Sequence, residues 1–449
     1  MHSYLHGHPA LLNAVKHLEH LRPDHFELYF EHRISTKIES KDQKVESLTR
    51  AEDVGLSIRI IKDRRIGFSF TTSLDPQAIQ RAAEAAIEVA RFMPEDPYLS
   101  FHDISSSIYP NIDQHDSAGL KVPTAHKIEL AKQLESICRK ADSRIQNIRS
   151  ASISENDYKV HLVDSSGEHI QHEGTLFSAS VQCKAEQDGD SQSGGEYGFS
   201  NFLDQLKIGE VGTQAARWAT ELLGAKSAPT MSCPAVFRNS VVADLLDFIS
   251  SSFSAEQISK GRSMLAGKHG QLLFSEKVTL IDDGLLAGGY GTSPFDGEGV
   301  PCKRTMLVDG GFVKGTLYDR YYAKKEKTES TGNSQRGIKA PPSIGFNNLY
   351  MEAGRPSFEQ LLDGITKGIL ITDLMGVHTA NPVTGDFSLG ASGILIENGK
   401  LTRPVRGFAV AGNVLGVFKR ITDVGSDLRF FGSTGAPSVR VSEISVGGV

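Results

Sequence analysis

The hairpin predicted around residues 158–184 carries the residue types that come nearest to a metal-dependent chemistry. A zinc hydrolase needs histidines held close together, a glutamate that activates water and one open coordination position. His172 and Glu173 form the single His-Glu pair of the chain, without a later histidine at helical spacing. Period-two patterning places this pair on a strand, where neighbouring side chains face opposite ways. His172 is therefore interpreted as an exposed strand histidine. A small metal cluster of His161, His169 and His172 is conceivable but is not the favoured interpretation.

Four acidic residues form a second candidate, because paired carboxylates can divide the roles of acid and base. They lie in one turn-rich stretch and are Asp282, Asp283, Asp296 and Glu298. Asp-Asp-Gly and Asp-Gly-Glu-Gly are also the sequences that tight turns require, and turns are the favoured interpretation. The sequence contains neither a Gly-x-Ser-x-Gly nucleophile motif nor a Gly-x4-Gly-Lys-Ser/Thr phosphate loop. The catalytic residues, if there are any, therefore stay unknown.

The N-terminal segment differs from a secretory signal. His2, His6 and His8 stand where a basic stretch followed by an apolar run would be expected. A free terminus seldom holds ligands rigidly, so metal chemistry at these histidines is not expected. No apolar segment reaches the roughly 18 residues of a membrane span. These features predict a cytoplasmic protein without membrane contact.

The composition is that of a folded globular protein. The chain of 449 residues is long enough for two or three domains, and it has 39% apolar residues, 23% charged residues and a formal charge of -6. The densest basic run, Lys324 to Lys327, is interrupted by Glu326 and is interpreted as a solvated loop. A nucleic-acid partner is therefore not expected. The four cysteines include no pair at the short spacing of zinc-binding motifs.

The N-terminal half shows clear patterns for both helices and strands. Helices are predicted at Pro9 to Leu21, Asp75 to Phe92, Thr124 to about Ile145 and Ile208 to Leu223. Alternating strands are predicted at Phe26 to Ile34, Gly55 to Ile61 and Tyr158 to Lys184, the last with a turn at Asp164 to Gly167. Residues 94–123 are expected to form a crossing loop between the helices.

A change of composition at Gly224 to Pro234 predicts a domain boundary. Beyond it glycine is dense, strands are short, and helices are expected only at Asn239 to Phe253 and at Ser357 to Leu362. The sequence therefore predicts an α+β fold in two domains. The first, residues 1–225, combines helices with antiparallel sheet and has a further subdivision near 94–123. The second, residues 226–449, is glycine-rich, mostly antiparallel β and barrel-like.

Seven short segments of the second half, spread over about 160 residues, form a recognisable set. They are Gly267-Lys-His-Gly270, Leu280-Ile-Asp-Asp-Gly284, Asp296-Gly-Glu-Gly-Val-Pro301, Thr331-Gly-Asn333, Ser388, Leu395-Ile-Glu-Asn-Gly-Lys400 and Gly425-Ser-Asp-Leu428. In these segments the chain resembles the TldD/TldE family, also called PmbA or modulator of DNA gyrase. The N-terminal half fits the general family pattern of helices and strands.

The resemblance implies that this chain lacks the zinc site of the family. In TldD-type subunits a His-Glu-x-x-x-His segment falls, without gaps, on Leu246, Asp247 and Ser251 of this sequence. Leucine has no lone pair, and neutral serine is a poor zinc ligand. The third ligand of TldD-type subunits is a cysteine shortly after the Gly425 to Leu428 segment, and residues 429–437 contain none. The resemblance therefore implies the metal-free TldE/PmbA type, without a cofactor in this chain and with zinc in a partner subunit.

The implied function is that of a subunit that pairs with a TldD-type zinc peptidase. The implied substrates are unfolded peptides, cleaved in precursor maturation or in degradation. The loop from Ser330 to Gly337 and exposed strand edges suit strand addition, which makes Thr331, Gly332 and Asn333 candidate peptide contacts. The alternatives are a self-sufficient hydrolase with a non-standard metal site and an interaction protein that modulates gyrase. Whether the isolated chain forms a homodimer, and whether it is itself an enzyme, stay open.

Overall fold

A computed structural model describes residues 8–448 of the protein. The fold consists of helices and many β-strands. His2 and His6 lie outside the described residues. The helices are α1 (Pro9–Leu21), α2 (Pro76–Phe92), α3 (Ser117–Leu120), α4 (Thr124–Ala141), α5 (Ile208–Thr220), α6 (Asn239–Ser250), α7 (Ala255–Ser259), α8 (Arg320–Glu326), α9 (Phe358–Leu362) and α10 (Val414–Lys419). The strands are β1 (His25–Lys41), β2 (Lys44–Lys62), β3 (Arg65–Thr71), β4 (Ile145–Asp164), β5 (His169–Gln187), β6 (Asp190–Ser200), β7 (Lys226–Ser227), β8 (Met231–Phe237), β9 (Leu280–Asp283), β10 (Arg304–Asp309), β11 (Phe312–Val313), β12 (Ser334–Gly337), β13 (Ala340–Ile344), β14 (Leu349–Met351), β15 (Lys367–Met375), β16 (Asp386–Glu397), β17 (Lys400–Asn413), β18 (Ile421–Val424), β19 (Arg429–Phe431), β20 (Thr434–Ala436) and β21 (Val439–Gly447).

Strands β1 to β6 form one antiparallel sheet with the order β3-β2-β1-β4-β5-β6, called the N-terminal sheet below. The chain builds it from two similar units, α1-β1-β2-β3-α2 and α4-β4-β5-β6-α5. The units meet where β1 pairs with β4, from Glu27 opposite Asp164 to Ser40 opposite Ala151. The predicted hairpin between β4 and β5 is confirmed. Within each unit, short turns join consecutive antiparallel strands, and the β1–β4 pairing joins the two units into a single sheet.

Four helices cover one face of the N-terminal sheet. Helices α1 and α2 bury apolar side chains such as Leu18 against Ile58 and its neighbours, and α4 and α5 do the same with Leu134 against Val181. The alternation of apolar residues along the strands supplies this face, because every second side chain points to the same side. The opposite face of the sheet is directed at the C-terminal half.

A glycine on the third strand of each unit lets the following helix approach closely. A Cβ atom at Gly67 of β3 would collide with the carbonyl group of Ala86 in α2. At Gly194 of β6 it would collide with the backbone of α5 at Ala219. Only a residue without a side chain fits where helix and strand backbones touch.

The helices predicted in this half are confirmed, with two ends shifted. Helix α4 ends at Ala141 rather than near Ile145, because Ile145 begins β4, and α5 ends at Thr220 rather than Leu223. The region 94–123 contains α3 and a short 3-10 turn and is otherwise irregular. Among the described residues, no helix combines the length and the apolar character that crossing a bilayer requires.

The second half contains a closed barrel, as the strand pattern predicts. Strands β8, β15, β16 and β17 pair in this order, and β21 closes the ring because it pairs with both β8 and β17. The barrel, α6 and neighbouring strands share a large apolar core that includes Phe237, Leu245, Ile371 and Phe408. The α+β class with a barrel-like second half is therefore confirmed.

The expectation of only two helices in the second half is wrong. Helices α7, α8 and α10 are additional, and each has five to seven residues. Such short segments contain too few turns to show a helical period. Helix α8 includes Lys324, so the basic run interpreted as a loop is a helix, which Lys327 ends in a left-handed conformation. The domain limits at residues 225 and 226, and the subdivision near 94–123, stay predictions.

Candidate functional site

Helix α6 and the residue that follows it carry the three positions that the family resemblance aligns with a zinc-binding segment, which are Leu246, Asp247 and Ser251. Leu246 is fully buried in the core beneath the helix, whereas Asp247 and Ser251 are exposed. Asp244, Asp247 and Ser251 form the polar stripe that helical spacing predicts. The side chains at positions 246 and 251 therefore lie on different sides, and they do not face one common point.

Hydrogen bonds fix the beginning of α6. The Asn239 side chain donates to the Asp427 carbonyl oxygen at 3.2 Å. The Asp427 carboxylate accepts from the backbone N–H and the hydroxyl of Ser438, at 2.9 and 2.7 Å. The Gly425 to Leu428 segment thus holds the start of the helix, which gives this family-like sequence a structural role.

Strands β19 and β20, which follow the Gly425 to Leu428 segment, contact α6. The structure therefore brings together the two parts of the chain that the resemblance aligns with the zinc ligands of TldD-type subunits. Residues 429–437 contribute no cysteine. Within residues 8–448, no cluster of three His, Cys, Asp or Glu side chains is arranged to hold a metal ion.

Three carboxylates interact on the polar side of α6. Burial raises the pKa of Asp244 to about 6, and repulsion from Asp373 of β15 and from Asp247 adds to this effect. The pKa values of Asp247 and Asp373 are also raised, because neighbouring protein atoms partly desolvate their carboxyl groups even though the Asp247 residue is exposed. This polar face of α6 is therefore acidic, and its carboxyl groups keep their protons at higher pH than isolated aspartates do.

The peptide-binding candidates Thr331, Gly332 and Asn333 lie in a buried turn before β12. The Thr331 hydroxyl accepts a hydrogen bond from the backbone N–H of Tyr318 at 2.8 Å, and the Asn333 side chain donates to Asp282 at 2.6 Å. Thr331 is 9% exposed and Asn333 is fully buried. Both side chains hold the loop in place, and their contact with a peptide stays a prediction.

The four acidic candidates separate into different roles. The Asp296 carboxylate accepts from two backbone N–H groups of its own turn, at 2.9 and 3.0 Å, and Asp283 accepts from one at 2.9 Å, so the turn interpretation is confirmed for these two. Asp282 is instead a buried strand residue that accepts from the Asn333 side chain and the Asn347 N–H, at 2.6 and 2.7 Å. Burial raises the pKa of Asp282 to about 6 and that of Asp296 to about 8. Because both carboxyl groups are enclosed by protein, a structural role suits both residues.

A buried ion network joins the N-terminal sheet to the C-terminal half. The Arg59 guanidinium donates to Glu27 at 3.3 Å and to Glu298 at 3.1 Å. Glu27 also binds Arg336. These four side chains are at most 11% exposed. Burial by itself raises the pKa of Glu27, but the two arginines bring it below its ordinary value.

No sequence pattern indicates this network. Glu27 and Arg59 occupy the polar side of their alternating strands, which predicts exposure to solvent. Here that side is covered by the C-terminal half. Arg336 follows the Thr331 to Asn333 segment, but nothing in its neighbourhood along the chain indicates a partner more than 300 residues away.

A cleft of about 380 Å³ opens beside this network, between the N-terminal sheet and the C-terminal half. Tyr29, Tyr158 and His172 line it from the sheet, and Tyr290 and Arg336 line it from the other side. Aromatic faces and polar groups in one cleft suit a ligand that both stacks and forms hydrogen bonds.

The hairpin histidines lie on two faces of the N-terminal sheet. His161 and His169 are on the helix-covered face, with Nδ1 of the first 2.9 Å from Nε2 of the second. His172 is on the other face, 3.5 Å from the Tyr158 hydroxyl. Burial lowers the pKa of His161 to about 3 and that of His172 to about 4. His161 is 3% exposed, and His172, interpreted from the sequence as an exposed strand histidine, is partly buried.

Three family models match successive parts of the chain. The PmbA/TldA metallopeptidase C-terminal domain matches residues 230–448, the central domain matches 118–223, and domain 1 matches 26–90. Together with the motif set and the fold, these matches show that the chain belongs to the PmbA/TldD metallopeptidase family.

Individual relatives agree over nearly the whole length. The chain is similar to Metalloprotease PmbA of Escherichia coli O157:H7, with 29% identity over 90% of this chain and 88% of that protein. It is also similar to a Metalloprotease TldD homolog of Haemophilus influenzae, with 26% identity over 98% and 96%. The structure of TldE from Thermococcus kodakarensis has the same fold, with a TM-score of 0.89 at 23% identity over 98% of this chain and all of that one. A Thermotoga maritima structure described as a candidate modulator of DNA gyrase gives 0.88 at 25% identity over 98% and 99%.

Proposed function

We propose that this chain is the TldE/PmbA-type subunit of a heteromeric complex with a TldD-type zinc peptidase. The observation that carries the proposal is the contact between α6 and β19–β20, which takes place without a histidine pair and without a cysteine. A buried leucine and an exposed serine stand where two zinc ligands would be needed. Such a chain contributes binding surface to the complex, and the partner supplies zinc and the activated water.

The proposed substrates are unfolded peptides that the complex matures or degrades in the cytoplasm. The cleft between the N-terminal sheet and the C-terminal half supports this part, because its aromatic and polar lining suits an extended chain. We propose no nucleic-acid or membrane partner.

The decisive experiment mixes the purified chain with its TldD-type partner. Size-exclusion chromatography measures complex formation, and cleavage of an unfolded peptide is followed for each protein alone and for the mixture. We expect a complex, little cleavage by either protein alone and chelator-sensitive cleavage by the mixture. The proposal fails if no complex forms and the partner cleaves equally well alone.

The same preparations test the alternative of a self-sufficient hydrolase. Chromatography of the isolated chain also shows whether it forms a homodimer. Chelator-sensitive cleavage by this chain alone would support the alternative and contradict the subunit proposal.

A further inference from the structure

Two neighbouring cavities lie on the face of the N-terminal sheet that is directed at the C-terminal half. One is the cleft of about 380 Å³. It shares Glu31 and Arg33 with a cavity of about 640 Å³ beside β2. Because the same two side chains line both cavities, the two form one path, called the sheet groove below.

The sheet groove crosses the strands instead of following one of them. His172 of β5 pairs with Val160 of β4. Val160 pairs with Glu31 of β1, and Glu31 pairs with Gly55 of β2. Four strands spaced about 4.8 Å apart give a path of roughly 15 Å. An extended chain advances about 3.3 Å per residue, so the path has room for about five residues.

Aromatic side chains line the middle of the sheet groove. Tyr29 and Tyr158 belong to the sheet, and Tyr290 and Phe295 belong to the opposite wall. Tyr290 is 48% exposed, and its ring packs edge-on against Phe199 at a centroid distance of 5.2 Å. This contact holds the ring in position while much of its surface stays open to a ligand.

The charged groups of the sheet groove are largely neutralised by one another. Arg33 pairs with Glu31 at 2.9 Å, and Arg336 pairs with the buried Glu27. Paired charges give little attraction to a phosphate or another strongly charged ligand. The Ser334 hydroxyl is buried and has no hydrogen-bond partner within residues 8–448, which leaves capacity for an amide group.

We propose that the sheet groove binds an extended, unstructured peptide segment of about five residues, with Tyr290 in contact with an apolar or aromatic side chain of that segment. The inference rests on the proposed function, and it assigns part of the peptide to the subunit that lacks zinc. The length of the sheet groove, its aromatic lining and its paired charges each favour a peptide over a compact charged metabolite.

Fluorescence anisotropy of labelled peptides on the full-length chain, without the partner, tests the proposal. The probes are unstructured peptides of two, four, six and eight residues that contain one central phenylalanine, and an eight-residue Gly-Ser peptide. Affinity should increase up to about five or six residues and then level off. The Gly-Ser peptide should bind on the order of tenfold more weakly, as expected for the loss of one stacking contact.

Tyr290→Ala should weaken binding of the six-residue peptide on the order of tenfold. Tyr98→Ala is the matched control, because Tyr98 is 37% exposed and lies outside the groove, and it should bind like the wild type. Circular dichroism verifies that both variants are folded. The groove proposal is overturned if two- and six-residue peptides bind equally well, or if both variants lose the same amount of affinity.

The complex with the TldD-type partner is measured on the same proteins. If the wild-type chain forms the active complex but binds no peptide alone, the sheet groove is disproved and the subunit function stands. If no complex forms, the subunit function fails whatever the peptides do.

Discussion

The Leu246 side chain is packed in the apolar core beneath α6. A zinc ligand at this position would instead have to point toward a site that a metal ion can enter. Ser251, five residues later, is exposed. We expect Leu246→His to destabilise the protein by about 3 kcal/mol or more, because it places a polar ring in a filled apolar core. Ser251→His should change the free energy of unfolding by no more than about 0.5 kcal/mol. Urea unfolding measures both, and equal effects would contradict the different orientations of the two positions.

His161 makes stability depend on pH. Its folded-state pKa of about 3 lies below the ordinary value of 6.5, so its contribution is complete above pH 6.5 and is lost as the pH falls toward 3. His8, His169 and Lys159 disfavour its protonation, and Glu173 opposes them. Between pH 7.5 and pH 5, the wild type should lose on the order of 2 kcal/mol more than His161→Gln loses.

Urea unfolding at the two pH values, in the presence of a chelator, tests this pH dependence. His126→Gln is the control, because His126 is exposed on α4. It should lose as much stability as the wild type does. If His161→Gln shows the same loss as the wild type, the burial of a neutral His161 is not the cause.

For single residues, the exposed and buried sides of α6 were predictable from the sequence, since helical spacing decides which side chains face the core. The contacts of Glu27 and Arg59 were not predictable. Strand alternation shows which side a residue faces, but it does not show whether a distant part of the chain covers that side.

Among the secondary-structure elements, β6 and α5 make the most demanding contact, because their backbones touch at Gly194. We expect Gly194→Ala to cost about 2 kcal/mol or more, since a Cβ atom there displaces the helix. The neighbouring Gly195 faces the other side, where a Cβ atom would lie 3.4 Å from Gln182. Gly195→Ala should be neutral or stabilising by up to about 1 kcal/mol.

Thermal unfolding of the two variants in parallel measures this difference between neighbouring positions. A comparable loss in both would mean that flexibility of β6, rather than the approach of α5, requires glycine.

The long elements were predictable because each carries several turns or alternations of apolar residues, as α2 and the β4–β5 hairpin show. The helices α7, α8 and α10 were missed because their few residues give no period. Closure of the barrel depends on β21 pairing with β17, and local sequence patterns do not specify which distant strands pair.

For the whole molecule, the buried ion network is expected to hold the two halves together. Arg59→Met leaves Glu298 buried without its guanidinium partner, and it should cost about 3–5 kcal/mol. Arg91→Met is the control, because it breaks a pair with Glu88 whose side chains are 66% and 55% exposed, and it should cost less than about 1 kcal/mol.

Urea unfolding of both arginine variants supplies the comparison, with Glu298→Gln as a second change at the same contact. Similar small losses in all three would show that the network contributes little to stability and that apolar contacts join the halves.

The pairing of β21 also has a consequence for synthesis of the protein. Every strand of the N-terminal sheet precedes residue 201, so that sheet can form while the rest of the chain is still being translated. The barrel must wait for its last strand, because β21 closes the ring between β8 and β17. Until then the nascent second half exposes unpaired strand edges, which can pair with other chains.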